Sequence, residues 1–353
     1  MPIDIIKVLT PVIASFGVGI LITPAITDYL YRNKMWKKKA GKVGFDGKAT
    51  EVFNKLHKDK EINTPRMGGV VIWLSALIVV SVIWILSKAF PTELFTKLDF
   101  MSRNQTWIPV FTLLIGALVG LIDDLFEIKK GNGGLSSKKR LLIVGLVALA
   151  VASWFYFKLD VQSLGIPFYG DLFIGWLVIP LFVFFTIGIY SGGVIDGIDG
   201  LAGGIFSTIF LSYAGIAFYQ NQIDLAAFSL AVTGGILAFL WFNIPPARFY
   251  MSETGSMALT LTVAVIAFMT DSLGGGIGVI SFLIIGAPLI ATSGSVVIQQ
   301  ISKKLRGGKK IFHSTPIHHH FEALGWPAYK VTMRYWIVAI VCALLGLIFA
   351  LVG

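Results

Sequence analysis

Residues 172–190 read LFIGWLVIPLFVFFTIGIY, with no charged side chain, and residues 191–204 follow at once with SGGVIDGIDGLAGG. The first stretch is long and apolar enough to cross a hydrocarbon core of about 30 Å as a helix. The second places Asp196 and Asp199 among glycines at the end of that helix. The same grammar recurs along the chain. Only 14% of its 353 residues are charged and 56% are hydrophobic, whereas a soluble domain carries about 25% charged residues. The fold class is therefore all-α: a polytopic integral membrane protein of about ten transmembrane helices. The spans fall near 5–30, 67–88, 107–123, 140–157, 172–190, 200–219, 224–243, 255–271, 275–300 and 335–352. Lys7 stands alone before an apolar stretch that runs to about Tyr29, so the first span reads as retained and not as a cleaved signal peptide. The one cysteine, Cys342, lies in an apolar run, which excludes a disulfide framework and a cysteine metal site.

Ten spans put both termini on one side. On that topology, 24 of the 29 lysines and arginines fall on the opposite face. The positive-inside rule makes that face cytoplasmic and both termini external. The net charge of +10 is thus mainly a topology signal, with attraction to anionic lipid or substrate as a second effect, and nucleic acid is not an expected partner. Nothing breaks the chain into units. Residues 1–353 read as a single transmembrane domain with cytoplasmic loops 31–66, 124–139, 191–199, 244–254 and 301–334.

The acidic residues sharpen this picture. Asp123 and Asp124 end the third span, Asp196 and Asp199 follow the fifth, Glu253 follows the seventh, and His318, His319 and His320 precede the last. All lie on the lysine-rich face, where they are expected to be solvated and not to hold a core together. Asp199 reads alternatively as an N-cap of the next helix, and Glu253 as a charge near a helix N-terminus. Three consecutive histidines cannot all point one way on a helix, so a zinc cage is not expected. A transporter would bury such groups near the bilayer midplane. Carboxylates without cysteines favour a hard cation, Mg²⁺ or Mn²⁺, bridging one or two carboxylates to substrate phosphates. With basic residues and glycine turns nearby, the residues point to phosphoryl transfer between a nucleotide-linked group and a lipid phosphate.

The motifs that carry these residues resemble the polyprenyl-phosphate N-acetylhexosamine-1-phosphate transferases. NTPRMGG (63–69) resembles the family's TPTMGG. GLIDDLFEIKK (120–130) and GNGGLSSKKR (131–140) resemble its aspartate pair and the basic segment after it. DGIDGLAGG (196–204) resembles DGLDGLA, and WFNIPPARFYMSETGSMAL (241–259) resembles WFNxxPAxxFMGDxGSLAL. TPIHHHFEALGWP (315–327) resembles the branch that acts on phospho-N-acetylmuramoyl-pentapeptide, not its N-acetylglucosamine relatives.

The resemblance implies transfer of phospho-MurNAc-pentapeptide from UDP-MurNAc-pentapeptide to undecaprenyl phosphate, giving lipid I and UMP, with Mg²⁺ required. The alternative is an N-acetylglucosamine-1-phosphate transferase for another surface polymer. By motif position Asp123 and Asp124 sit beside the lipid phosphate, one of them as the base. Asp196 is the catalytic or metal-proximal carboxylate, Asp199 supports it, and Glu253 is the metal ligand. Asn243, Tyr250, Arg140, His318, His319 and His320 contact substrate. The implied setting is the bacterial cytoplasmic (inner) membrane with the site on its cytoplasmic face. The partners are the two substrates, membrane lipid and, as one option, a second copy of the chain. Several positions depart from the pattern: Gly193 and Tyr190 stand where the family has Asn, Ser252 where it has Gly, Glu253 where it has Asp, Arg66 where it has Thr, and Arg140 where it usually has Lys.

Overall fold

The computed structural model describes residues 2–38, 41, 62–101, 106–130 and 134–353. The expected loops 31–66 and 124–139 therefore lie partly outside the described residues. Thirteen α-helices are labelled here: α1 (Pro2–Arg32), α2 (Val70–Ala89), α3 (Glu93–Leu98), α4 (Trp107–Lys130), α5 (Ser137–Lys158), α6 (Val178–Gly192), α7 (Leu201–Tyr219), α8 (Ile223–Asn243), α9 (Ser252–Met269), α10 (Gly278–Ile285), α11 (Ala287–Leu305), α12 (Ile317–Ala323) and α13 (Ala328–Val352). Among the described residues nine helices are individually long and apolar enough to cross a membrane, and ten spans result if α10 and α11 count as one. The chain is an all-α, multi-pass membrane protein.

The expected ninth span, 275–300, is not straight. It breaks between α10 and α11 with a bend of 72°. Pro288 sits in the first turn of α11 and cannot donate a backbone hydrogen bond to the preceding turn, so the helix kinks there. An unexpected antiparallel hairpin, β1 (Ser163–Ile166) with β2 (Gly170–Phe173), pairs Leu164 with Leu172.

Helix α9 is the axis of the bundle, buried along its whole length except at Glu253. Its neighbours are α4 and α6, while α8 packs on α1, α2 and α7. The α4–α9 contact is backbone to backbone. A Cβ on Gly120 would lie 2.2 Å from the Glu253 carbonyl oxygen, and one on Gly116 would lie 2.8 Å from the Ala258 Cα. Small residues let two helices approach this closely. They also bring the aspartate end of α4 against the start of α9.

The two ends of the bundle differ. At one end Lys7 pairs with Asp224 at 2.6 Å, and the Phe168 N–H donates to the Gly353 carbonyl at 3.0 Å. Both chain termini are therefore on the hairpin side. Here Asp271 accepts from Gly165 N at 2.7 Å and Val279 N at 2.9 Å, tying the hairpin to the start of α10. Burial pushes the Asp271 carboxyl up to about 6 against these bonds. The carboxylates and histidines singled out from sequence are at the other end.

Candidate active site

Ser252 is where the separate loops meet. It opens α9 with φ +52°, the left-handed region that disfavours side-chain-bearing residues. That geometry accounts for glycine in the motif this segment resembles. Here the hydroxyl is used as well: Ser252 Oγ donates to Asp124 Oδ2 at 2.7 Å and accepts from Met67 N at 2.8 Å. Its backbone N–H donates to Asp196 Oδ2 at 2.8 Å.

Asp124 also accepts from Thr254 N at 2.9 Å and Glu253 N at 3.3 Å. Its carboxylate thus closes the exposed N–H groups at the positive end of α9. Asp123, one residue earlier, pairs with Arg140 Nη2 at 2.8 Å. Arg140 Nη1 donates to Glu253 Oε1 at 2.8 Å, and the Tyr190 hydroxyl donates to Glu253 Oε2 at 3.5 Å. Tyr190 and Arg140, two departures from the motif, thus both hold the third.

The expectation of solvated carboxylates fails for this pair: Asp123 and Asp124 are 0% exposed. The glycine-mediated contact of α4 with α9 encloses them, and such burial is tolerated because each charge is paired and hydrogen-bonded. Asp196 and Asp199 are half-buried. Asp199 is not the N-cap of α7; Gly200 occupies that position, with φ +77° and no side-chain capping bond. Asp199 Oδ2 instead accepts from Ala247 N at 3.3 Å. Asn243 is buried and braces two turns, its Oδ1 accepting from Gly200 N at 2.9 Å and its Nδ2 donating to the Phe249 carbonyl at 2.8 Å. The Tyr250 backbone is held by Pro65 and Gly68.

The histidines divide as helical geometry requires. Pro316 precedes α12, and His318 and His319 point inward, both buried. Their Nε2 atoms converge on the turn after Asp196: a Cβ on Gly197 would lie 2.6 Å from His318 Nε2 and 2.8 Å from His319 Nε2. His319 Nδ1 is 2.6 Å from Glu322 Oε2. A carboxylate there holds the Nδ1 proton and orients the ring. His320 turns away and stacks on His313 at 5.3 Å, accepting from the His313 N–H at its own Nδ1. Burial and His313 lower its pKa.

The motifs alone did not indicate the roles of Ser252, Arg66, Glu127, Lys37 and Glu322. Arg66 Nη2 lies 2.9 Å from Glu127 Oε2 and 3.6 Å from Asp124 Oδ1, and Lys37 Nζ is 3.2 Å from Glu127. Burial opposes the Arg66 charge, but Glu127, Asp124, Asp196 and Glu253 outweigh it and hold the guanidinium more firmly protonated than usual. The signal for Ser252 and Arg66 was their departure from the motif; Glu127, Lys37 and Glu322 carried none.

Among the described residues no three Asp, Glu, His or Cys side chains form a self-sufficient metal cage. Mg²⁺ does not need one, since one or two carboxylates and substrate phosphates suffice. The donors are hard oxygens, and among the described residues Asp123, Asp124, Asp196, Glu127 and Glu253 outnumber Arg66, Arg140 and Lys37. That excess negative charge suits a divalent cation, with Asp196 and Glu253 as the residues that would hold it.

These features define a multi-pass membrane protein with an acidic cluster at one end of its bundle. The family model described as Glycosyl transferase family 4 matches residues 106–271, from α4 to just past α9. A phospho-N-acetylmuramoyl-pentapeptide-transferase of Listeria innocua is 33% identical over 297 residues, covering 83% of this chain and 85% of that protein. The protein of the same name from Bacillus subtilis is 32% identical over 345 residues, 96% and 97% of the two chains. That of Latilactobacillus sakei is 32% identical, covering 96% and 98%. The chain belongs to the phospho-N-acetylmuramoyl-pentapeptide-transferase family.

Proposed function

We propose that this protein transfers phospho-MurNAc-pentapeptide from UDP-MurNAc-pentapeptide to undecaprenyl phosphate, releasing UMP and forming lipid I, at the cytoplasmic face of the bacterial cytoplasmic membrane. The observation that carries the reading is the junction at Ser252, where carboxylates from the ends of α4 and α6 meet the start of α9. It lies on the side away from both termini and beside the buried His318–His319 pair.

In the reaction an oxygen of the lipid phosphate bonds to the sugar-linked phosphorus. The bond from that phosphorus to the bridging oxygen breaks, and UMP leaves with the electron pair. Asp123 or Asp124 takes the proton of a monoprotonated lipid phosphate, a role for which a positioned carboxylate suffices. Arg140, held between Asp123 and Glu253, aligns both with the transferring group. His318 and His319 face the diphosphate, and Glu322 keeps the His319 ring in one orientation. Asn243 and Asp199 fix the turns that present Asp196 and Tyr250, and the Tyr250 ring stacks on uracil. Mg²⁺ or Mn²⁺, when bound, offsets diphosphate charge as it builds on the leaving oxygen.

Radiolabelled UMP exchange with purified protein tests the reading. UDP-MurNAc-pentapeptide should support exchange and UDP-N-acetylglucosamine should not. The reverse preference would reassign the protein to another surface polymer.

A further inference from the structure

Arg66 is held in place by more than its ion pairs. Its backbone N–H donates to the Met35 carbonyl at 2.7 Å, and the next residue, Met67, adopts φ +71° and donates to Ser252 Oγ at 2.8 Å. The Tyr250 N–H donates to the Pro65 carbonyl at 2.9 Å, so the turn is clamped from both sides. Nη2 is occupied by Glu127 and Asp124. Glu127 already has Lys37, so neutralising Glu127 does not by itself require Arg66.

One donor remains unexplained. Among the described residues Arg66 Nε is buried and has no hydrogen-bond partner. A buried donor left unpaired costs about 1–3 kcal/mol, and native structures rarely tolerate one without a reason. We propose that Arg66 is a phosphate-binding residue of this site. Its Nε–H takes a non-bridging phosphate oxygen of a substrate, while Nη2 stays on Asp124 and Glu127. Guanidinium suits this division because its five N–H donors are fixed in one plane and serve several partners at once. The carboxylates at Nη2 prevent the side chain from swinging away, so the unpaired Nε donor is held in place. The ligand chemistry is a phosphate monoester or diphosphate, from the lipid acceptor or the nucleotide donor. The inference deepens the proposed function and rests on it for the identity of the ligand, not for the presence of a phosphate site.

The test is equilibrium binding to full-length protein in nanodiscs with Mg²⁺ present, using two probes separately: UDP, and undecaprenyl phosphate in the disc. Wild type is compared with Arg66→Lys, which keeps the charge and loses the fork, and with Arg66→Met. Because Arg66→Met could fail to fold beside Glu127, Arg66→Met combined with Glu127→Gln is included. Affinity for one probe should fall about tenfold in Arg66→Lys and up to about a hundredfold in the Met variants. A fall for undecaprenyl phosphate alone assigns the acceptor phosphate; a fall for UDP alone assigns the donor. Affinities for both probes within about twofold of wild type in folded variants overturn the inference, as does a wild type that binds neither. A wild type that binds both but transfers no muramoyl group sinks the proposed function and leaves the phosphate site standing.

Discussion

Asp124→Asn separates a carboxylate that only performs chemistry from one that also holds the fold. Asp124 Oδ2 accepts from Ser252 Oγ at 2.7 Å and Thr254 N at 2.9 Å; Oδ1 faces Glu253 N at 3.3 Å and Arg66 Nη2 at 3.6 Å. An asparagine that keeps its oxygen toward Ser252 and Thr254 must turn its NH₂ toward Glu253 N and Arg66, so donor meets donor. Hydrogen bonds to a charged group contribute about 1.5–3 kcal/mol each, and the Asp124 side chain is fully buried. Losing one such bond and weakening another predicts a destabilisation of about 2–4 kcal/mol. Asp124→Ala should cost more, because the Ser252 hydroxyl and Thr254 N–H then lose their acceptor. Tryptophan-fluorescence melting in detergent reads this as a Tm lowered by several degrees. UMP exchange measured well below that Tm should still be down by about 10²-fold or more. An Asp124→Asn protein that melts with wild type would refute the argument that Asp124 closes the α9 N-terminus.

Asp196→Asn, at a half-buried position, should lower exchange by about 10²-fold with little change in Tm; near-normal exchange in a folded variant would remove Asp196 from the site. Exchange should vanish in excess EDTA and return with Mg²⁺ or Mn²⁺ but not Zn²⁺, since the donors are hard oxygens; full activity in chelator would end the metal proposal. Gly197→Ala should displace the His318 and His319 rings, whose Nε2 atoms lie 2.6 and 2.8 Å from the added carbon, and lower exchange by about tenfold or more, with the Michaelis constant for the nucleotide rising; unchanged kinetics would place the histidines outside the reaction. At the hairpin end, the Asp271 carboxyl is raised to about 6, above its unfolded value of about 3.9. Its neutral form is therefore favoured by folding, so this group's contribution is fully present below about pH 4 and lost as pH rises through about 6. Asp271→Asn should flatten the fall in Tm across that window, and an identical pH slope in the variant would refute the assignment.

The residues alone determined that this chain spans a membrane, which ends of its spans share a face, and which acidic and histidine motifs lie there. Those properties follow from local quantities: run length, the absence of charge, and the distribution of lysine and arginine. They also placed the kink-forming Pro288 inside a span, but a run of apolar residues is the same whether its helix is straight or bent. Burial of Asp123 and Asp124 was not legible, because it depends on how closely α4 approaches α9, set by Gly120 and the backbone of Glu253. The partnership of Arg140 with both Asp123 and Glu253 joins residues 113 positions apart or fewer, and only folding brings their charges within reach. Arg66, a departure from the motif in sequence, is in the structure a clamped guanidinium with Nη2 occupied. Hydrogen bonds are short-ranged and directional, so a donor's lack of an acceptor exists only in three dimensions.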